Sequence, residues 1–338
     1  MNKVLKVGII GAGRIAKVHA ATLAYRVPTA RVLAIADVNL AAAEQVAAQF
    51  KIPTATADPA AIFADPQIDA VLICSVTGTH APFIEAAAAA GKHIFCEKPI
   101  ALSLPQIDRA LAAVEKTGVK LQVGFNRRFD ANYARVRAAI TSGEIGAPAL
   151  LHIISRDPGP PPMEYVKASG GMFLDMTIHD FDMARFLIGA EVEEIYAQAG
   201  ITVDPAIGAA GDVDTAIVTL KFANGVLGTI DNCRRASYGY DQRVEVLGSE
   251  GAISTANNYS NAATISDGRS IHRDLPLNFF MDRYTESYAL EVAAFVDAVL
   301  NGKPTPVTGY DGRAPVVMGL AAARSYKENR PVKLNEIG

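Results

Sequence analysis

Hydrophobic and polar positions divide this chain into two halves with different rhythms. Up to about residue 125, short apolar runs alternate with stretches of helical period. Lys6-Val7-Gly8-Ile9-Ile10 and Arg31-Val32-Leu33-Ala34-Ile35-Ala36 read as buried strands, as do residues 70–74, 93–96 and 121–124. Helical patterns lie between them, at 80–90 and 104–117 and directly after the first strand. Near-continuous apolar strands alternating with helices predict a doubly wound parallel sheet, an α/β Rossmann arrangement. Beyond about residue 145 strand-like runs with turn signals take over, at 149–155, 192–200, 214–222, 226–232, 242–248 and 252–255. Only 172–188 and two late segments, 285–300 and 311–328, carry a helical pattern there. That half predicts an α+β domain with a large, mostly antiparallel sheet and helices on one face.

The first strand runs straight into Gly11-Ala12-Gly13-Arg14-Ile15-Ala16, and helical sequence continues through His19. Glycines between strand and helix allow a tight turn and a close approach to a pyrophosphate, which the helix N-terminus attracts. Gly11, Gly13, Arg14 and Ile15 are therefore candidate cofactor contacts. Asp37 ends the second strand about 20 residues further on, where a carboxylate accepts from a ribose 2′-OH and repels a 2′-phosphate. Val38 follows it, not arginine. NAD is the expected cofactor, and residues 1–125 its domain, with 126–338 for substrate binding and oligomerisation. Ligands of such sheets collect at the carboxyl ends of strands. That places Thr77, His80, Glu97 and Lys98 at the cofactor crevice.

In the second half, the run from Gly170 to Asp182 is the densest in chemistry. If 172–188 is one helix, Asp175, His179 and Asp182 stand at i, i+4 and i+7 on one face. Removing hydride from a secondary alcohol requires the hydroxyl proton to leave, and a histidine can accept it. A lysine brought from the other half, Lys98, would steady the developing alkoxide. Carboxylate and imidazole at this spacing also suit a metal, but hydride transfer beside a lysine needs none, so none is expected. Asp180 reads as a helix-surface or supporting group, and Pro158–Pro162 as a rigid loop shaping a pocket. Arg127, Arg128, Asp157, Tyr238, Tyr240 and Tyr284 suit a substrate that makes many hydrogen bonds. The tyrosines suit core packing as readily.

Composition changes this picture little. The chain has 338 residues and a net charge of −3 without like-charge runs, which argues against nucleic acid or an anionic membrane as partner. No apolar run approaches the ~18 residues of a membrane-spanning helix, and no signal-peptide core opens the chain. Cys74, Cys96 and Cys233 form an odd, scattered trio, so a reducing cytoplasm is expected.

Together, the G-x-G-x-x-A turn, Glu97-Lys98-Pro99, Gly124-Phe125-Asn126-Arg127-Arg128-Phe129-Asp130 and the Gly-Gly…Asp…His-Asp-x-Asp run resemble the Gfo/Idh/MocA oxidoreductase family, essentially end to end. Ser155–Pro162, 178–186 and 234–241 resemble its inositol dehydrogenase branch. The resemblance implies NAD-dependent oxidation of a ring hydroxyl of myo-inositol. It assigns Lys98, Asp175 and His179 to catalysis, with His179 as acid/base. Glu97 falls near the nicotinamide-side ribose and Asp182 near a substrate hydroxyl. It also implies a cis bond between Lys98 and Pro99, and a homotetramer assembled through the open sheet faces. Scyllo-inositol or an aldose such as glucose is the competing substrate. A non-catalytic dinucleotide sensor is the competing class.

Overall fold

The computed structural model describes residues 3–338, which divide into two compact units. The first comprises residues 3–126 and 286–316. Its strands are β1 (Leu5–Ile10), β2 (Ala30–Ala36), β3 (Thr54–Thr56), β4 (Ala70–Ile73), β5 (His93–Glu97) and β6 (Leu121–Gly124). Helices α1 (Arg14–Tyr25), α2 (Leu40–Phe50), α3 (Pro59–Ala64), α4 (His80–Ala89) and α5 (Leu104–Thr117) alternate with them. All strand pairs are parallel, in the order β3-β2-β1-β4-β5-β6. This is the dinucleotide-binding order, with the ligand crevice where the order reverses between β1 and β4. The central strand β4 is buried at every position, as a sheet covered on both faces requires.

The second unit comprises residues 127–285 and 317–338. It contains α6 (Ala131–Thr141), β7 (Pro148–Arg156), α7 (Met163–Ala168), α8 (Met172–Asp175), α9 (Thr177–Ile188), β8 (Val192–Gly200) and α10 (Pro205–Ala209). After these come β9 (Thr215–Phe222), β10 (Leu227–Cys233), β11 (Asp241–Gly248), β12 (Ala252–Ser254), β13 (Thr264–Ser266), β14 (Ile271–Arg273) and α11 (Phe280–Arg283). The large sheet has the order β12-β11-β7-β10-β9-β8-β15, where β15 is Val332–Lys333. Only β7 and β10 pair in parallel. Strand β9 shows the alternation of a sheet with one face on a core, burying Ala216, Val218, Leu220 and Phe222.

Two expectations need correction. The domain boundary near residue 125 holds for the first crossing, but the chain returns. Helix α12 (Thr285–Leu300) puts Val292, Phe295 and Val296, each at most 1% exposed, into the core formed by β1, β2 and α1. Residues 286–316 therefore belong to the first unit, and α13 (Gly309–Glu328) passes from one unit into the other. The second correction concerns 172–188, which is two helices broken at Met176. Thr177 is fully buried and donates its hydroxyl to Asn232 Oδ1 on β10 at 2.6 Å. That tether draws the chain onto the sheet just where one continuous helix would have run. The helices α6, α7, α10 and α11 carried no clear periodic signal, three of them having only 4–6 residues.

Candidate active site

In the first unit the glycine turn is built as its residues dictate. Gly11 has φ +102°, and a Cβ there would lie 2.6 Å from the Cys74 carbonyl oxygen. Only glycine fits between β1 and β4 at this point. Around Gly13 a Cβ would meet nothing within 4 Å, so the backbone is open to an approaching ligand. Gly13 also caps α1 without a side chain, and no acid stands in the first turn. The first-turn N–H groups and the positive end of the helix thus suit a pyrophosphate. Arg14 is exposed and Ile15 half-buried beside them.

Asp37 lies at the end of β2 as expected, and it has structural work as well. Its Oδ2 accepts from Ala12 N at 2.7 Å and its Oδ1 from Asn39 N at 2.8 Å. The carboxylate thus ties the glycine turn to the second strand, while Val38 beside it is 93% exposed. These residues fit NAD, whose ribose hydroxyls Asp37 would accept from. Asp37→Ala is expected to narrow the preference for NAD over NADP and to raise the KM for NAD as the turn loosens. Equal kcat/KM for both cofactors in the unmodified protein would contradict this assignment.

Thr77 stands half-buried in a 3₁₀ turn after β4. His80 is 2% exposed, and both ring nitrogens face backbone carbonyls, Pro99 O at 2.8 Å and Ser75 O at 3.0 Å, which makes it a buried support of the first unit. Glu97 is half-buried with Oε1 2.6 Å from His19 Nε2, and Lys98, also half-buried, precedes a cis proline.

In the second unit, Asp175 ends α8 and His179 lies in the first turn of α9, both half-buried. Asp175 accepts from the Tyr165 hydroxyl at 2.8 Å and from both terminal nitrogens of Arg234 at 3.3 Å. Arg234 is 1% exposed, and its guanidinium also lies 3.9 Å from Asp212. Asp212 in turn accepts from Met172 N at 3.0 Å, at the start of α8. Gly171, at φ +82°, is needed there, because a Cβ would lie 2.9 Å from Asp212 Oδ1. One buried guanidinium therefore fixes both ends of the short helix that carries Asp175.

Asp157, just past β7, continues the parity of Ser155 and the buried inward positions of that strand. Burial raises its carboxyl to about 6; Arg234 opposes the rise and Asp175 adds to it. Free aspartate titrates near 3.9, so between roughly pH 4 and 6 the folded chain binds more protons here than the unfolded one. Stability falls as pH rises through that window. Asp157→Asn is expected to stabilise the protein on the order of 1 kcal/mol at about pH 7.5 and hardly at all at about pH 4.5. Thermal midpoints at the two pH values check this, and a gain of the same size at both would contradict it.

The other polar residues divide between this cluster and different tasks. Tyr240, 7% exposed, lies 3.4 Å from Arg127 and faces Asp157 electrostatically, so both residues border the cluster. Arg127 also donates to Asp180 at 2.6 Å; Asp180 is fully buried, not on a helix surface, and accepts from Asn232 at 2.8 Å. Asp182, 0% exposed, forks with Arg128 at 2.6–3.1 Å. Tyr284 is 2% exposed with its hydroxyl 3.4 Å from that of Tyr133. Tyr238, in the turn between β10 and β11, donates to Asp241 and accepts from Arg156 at 3.1 Å. Tyr165, Asp212 and Asn232 did not stand out in the sequence. Arg234 lay in the 234–241 segment that resembles the inositol dehydrogenase branch, but without a role of its own.

A parallel-sheet unit with a cofactor turn and a lysine, joined in one chain to a unit presenting Asp, His and Arg, defines a dinucleotide-dependent oxidoreductase. The chain belongs to the Gfo/Idh/MocA family. Residues 5–125 match its NAD-binding Rossmann-fold model and residues 133–254 its C-terminal domain. It is similar to myo-inositol 2-dehydrogenase of Thermotoga maritima, at 46% identity over 98% of this chain and 99% of the relative. The inositol 2-dehydrogenase of Rhizobium meliloti is 47% identical over 98% and 99% of the two chains. The crystal structure of scyllo-inositol dehydrogenase from Lactobacillus casei, with bound NAD(H) and scyllo-inositol, superposes with a TM-score of 0.93. It is 30% identical and covers 98% of this chain and all of that one (100%). The protein is an NAD-dependent oxidoreductase.

Proposed function

We propose that the protein oxidises the C2 hydroxyl of myo-inositol to 2-keto-myo-inositol. The observation that carries this is the placement of Asp157 and Asp175 beside buried Arg234, with His179 in the first turn of the next helix, in a chain aligned end to end with inositol 2-dehydrogenases. A ring polyol offers several hydroxyls in fixed orientation, and a cluster of acceptors beside a guanidinium matches that pattern. Bound NAD supplies the hydride acceptor. His179 takes the hydroxyl proton as a general base, Lys98 stabilises the alkoxide, and Asp175 orients the reacting group. Asp157 and Tyr240 hold neighbouring hydroxyls. A panel of myo-inositol, scyllo-inositol and glucose with NAD, read as NADH absorbance, tests the substrate. The highest kcat/KM is expected for myo-inositol; glucose exceeding both inositols would overturn the assignment.

The same reading includes a cytoplasmic homotetramer. Among the described residues no helix is long and apolar enough to cross a membrane, and Cys74, Cys96 and Cys233 are free thiols. The outward face of the large sheet supports assembly, since Leu247, Leu150 and Leu227 are adjacent in register and 43–52% exposed. Light scattering at low micromolar concentration is expected to give a tetramer mass; a monomer mass would contradict it.

A further inference from the structure

Two buried histidines of the first unit have no part in the chemistry above, yet they grip the residues on either side of Lys98. His19, on the inward face of α1, is fully buried, with its ring edge-on to Phe95 and Tyr288 at 5.2 and 5.9 Å. Its Nδ1 has no hydrogen-bond partner, so its one polar engagement is Nε2 donating to Glu97 at 2.6 Å. The other oxygen of Glu97 lies where β6 leaves space: a Cβ on Gly124 would stand 3.1 Å from Oε2. The carboxylate is thus confined between an imidazole and a glycine. On the far side of Lys98, His80 faces the Pro99 carbonyl at 2.8 Å and the Ser75 carbonyl at 3.0 Å. Carbonyl oxygens only accept, so the protonated ring nitrogen donates to one of the two, and the ring sits wedged between the loop after β4 and the residue after Lys98.

A buried polar ring is held by the partners it has, and each of these rings has one in the tripeptide 97–99. We propose that His19 and His80 are positioning residues that set the aim of Lys98 by fixing Glu97 and Pro99, and that they act on catalysis through that lysine alone. The proposal rests on the reading that Lys98 takes part in the reaction. Misplacement of a catalytic group by about 1 Å can cost on the order of 10²-fold.

The test uses the full chain with NAD and myo-inositol. His19→Leu and His80→Leu remove the contacts. His19→Gln and His80→Asn keep an N–H donor near the position of the ring nitrogen each contact uses. Each leucine variant is expected to lose roughly 10–100-fold in kcat with the KM for NAD little changed. The amide variants should recover most of that loss, which a merely space-filling role would not produce. In a Lys98→Ala background the leucine substitutions should cost nothing further. Losses that multiply with that of Lys98→Ala, or leucine variants as active as the unmodified protein, would overturn the proposal. If Lys98→Ala alone were harmless, the catalytic reading beneath the proposal would fail first, and visibly. Should a leucine variant not fold, Gly124→Ala presses Glu97 from its other side, and its loss must likewise vanish without Lys98.

Discussion

Replacing His179 by alanine is expected to lower kcat by roughly 10²–10⁴-fold, the usual worth of a positioned acid/base, with NAD binding nearly unchanged. His179 lies in the first turn of α9, where Thr177 anchors the helix to β10 through Asn232. The substitution therefore removes a side chain from a fixed frame. Lys98→Ala should be at least as damaging, because charge stabilisation is lost together with orientation. Single-turnover reduction of NAD separates the chemical step from binding. A loss confined to the KM for NAD in either variant would contradict the assigned roles. A metal-centred reaction would show another signature, with activity falling under chelator and returning with a divalent ion.

Arg234→Met should be the most destabilising single change in the second unit. The methionine nearly fills the volume but leaves Asp175 and Asp212 without their shared cation, and Asp157 without the charge that restrains its proton affinity. Breaking a buried pair from one side costs about 3–5 kcal/mol, against about 0–1 for a surface pair. Asp157, whose carboxyl burial already raises, should then titrate higher still in the folded state. The deficit must accordingly grow as pH rises through the carboxyl range and shrink below it. Denaturant unfolding at about pH 5 and about pH 8 reads both. A deficit independent of pH would mean that Arg234 matters by packing alone.

How much of this could be read from the chain depends on how local the cause was. The parallel sheet was legible because β1, β2, β4, β5 and β6 are apolar runs punctuated by glycine and helical sequence. Asp37 and Lys98 were legible because a strand end in this architecture fixes where a side chain must go. Strands β7 to β12 fall within about a residue or two of the alternating runs that announced them. The break at Met176 was not legible, since a one-face pattern continues across it and the cause, Asn232, lies on a distant strand. Arg234 was hidden for the same reason: its carboxylates come from α8 and from the segment before β9, and only the fold assembles them. Tyr238 lies in the turn between β10 and β11, where no alternation says which side chains it meets, and only the fold brings it to Arg156 and Asp241. The return of α12 to the first unit shows a further limit. An amphipathic helix declares that it needs a core, but not which one.

The central claim is hydride transfer from C2 of myo-inositol to NAD. Its most direct measurement is the fate of deuterium placed at that carbon. With the purified protein, NAD and C2-deuterated myo-inositol, mass spectrometry should find one deuterium in the reduced cofactor and the ketone at C2 of the product. Reduced cofactor without deuterium, or deuterium retained in the oxidised ring, would contradict the account.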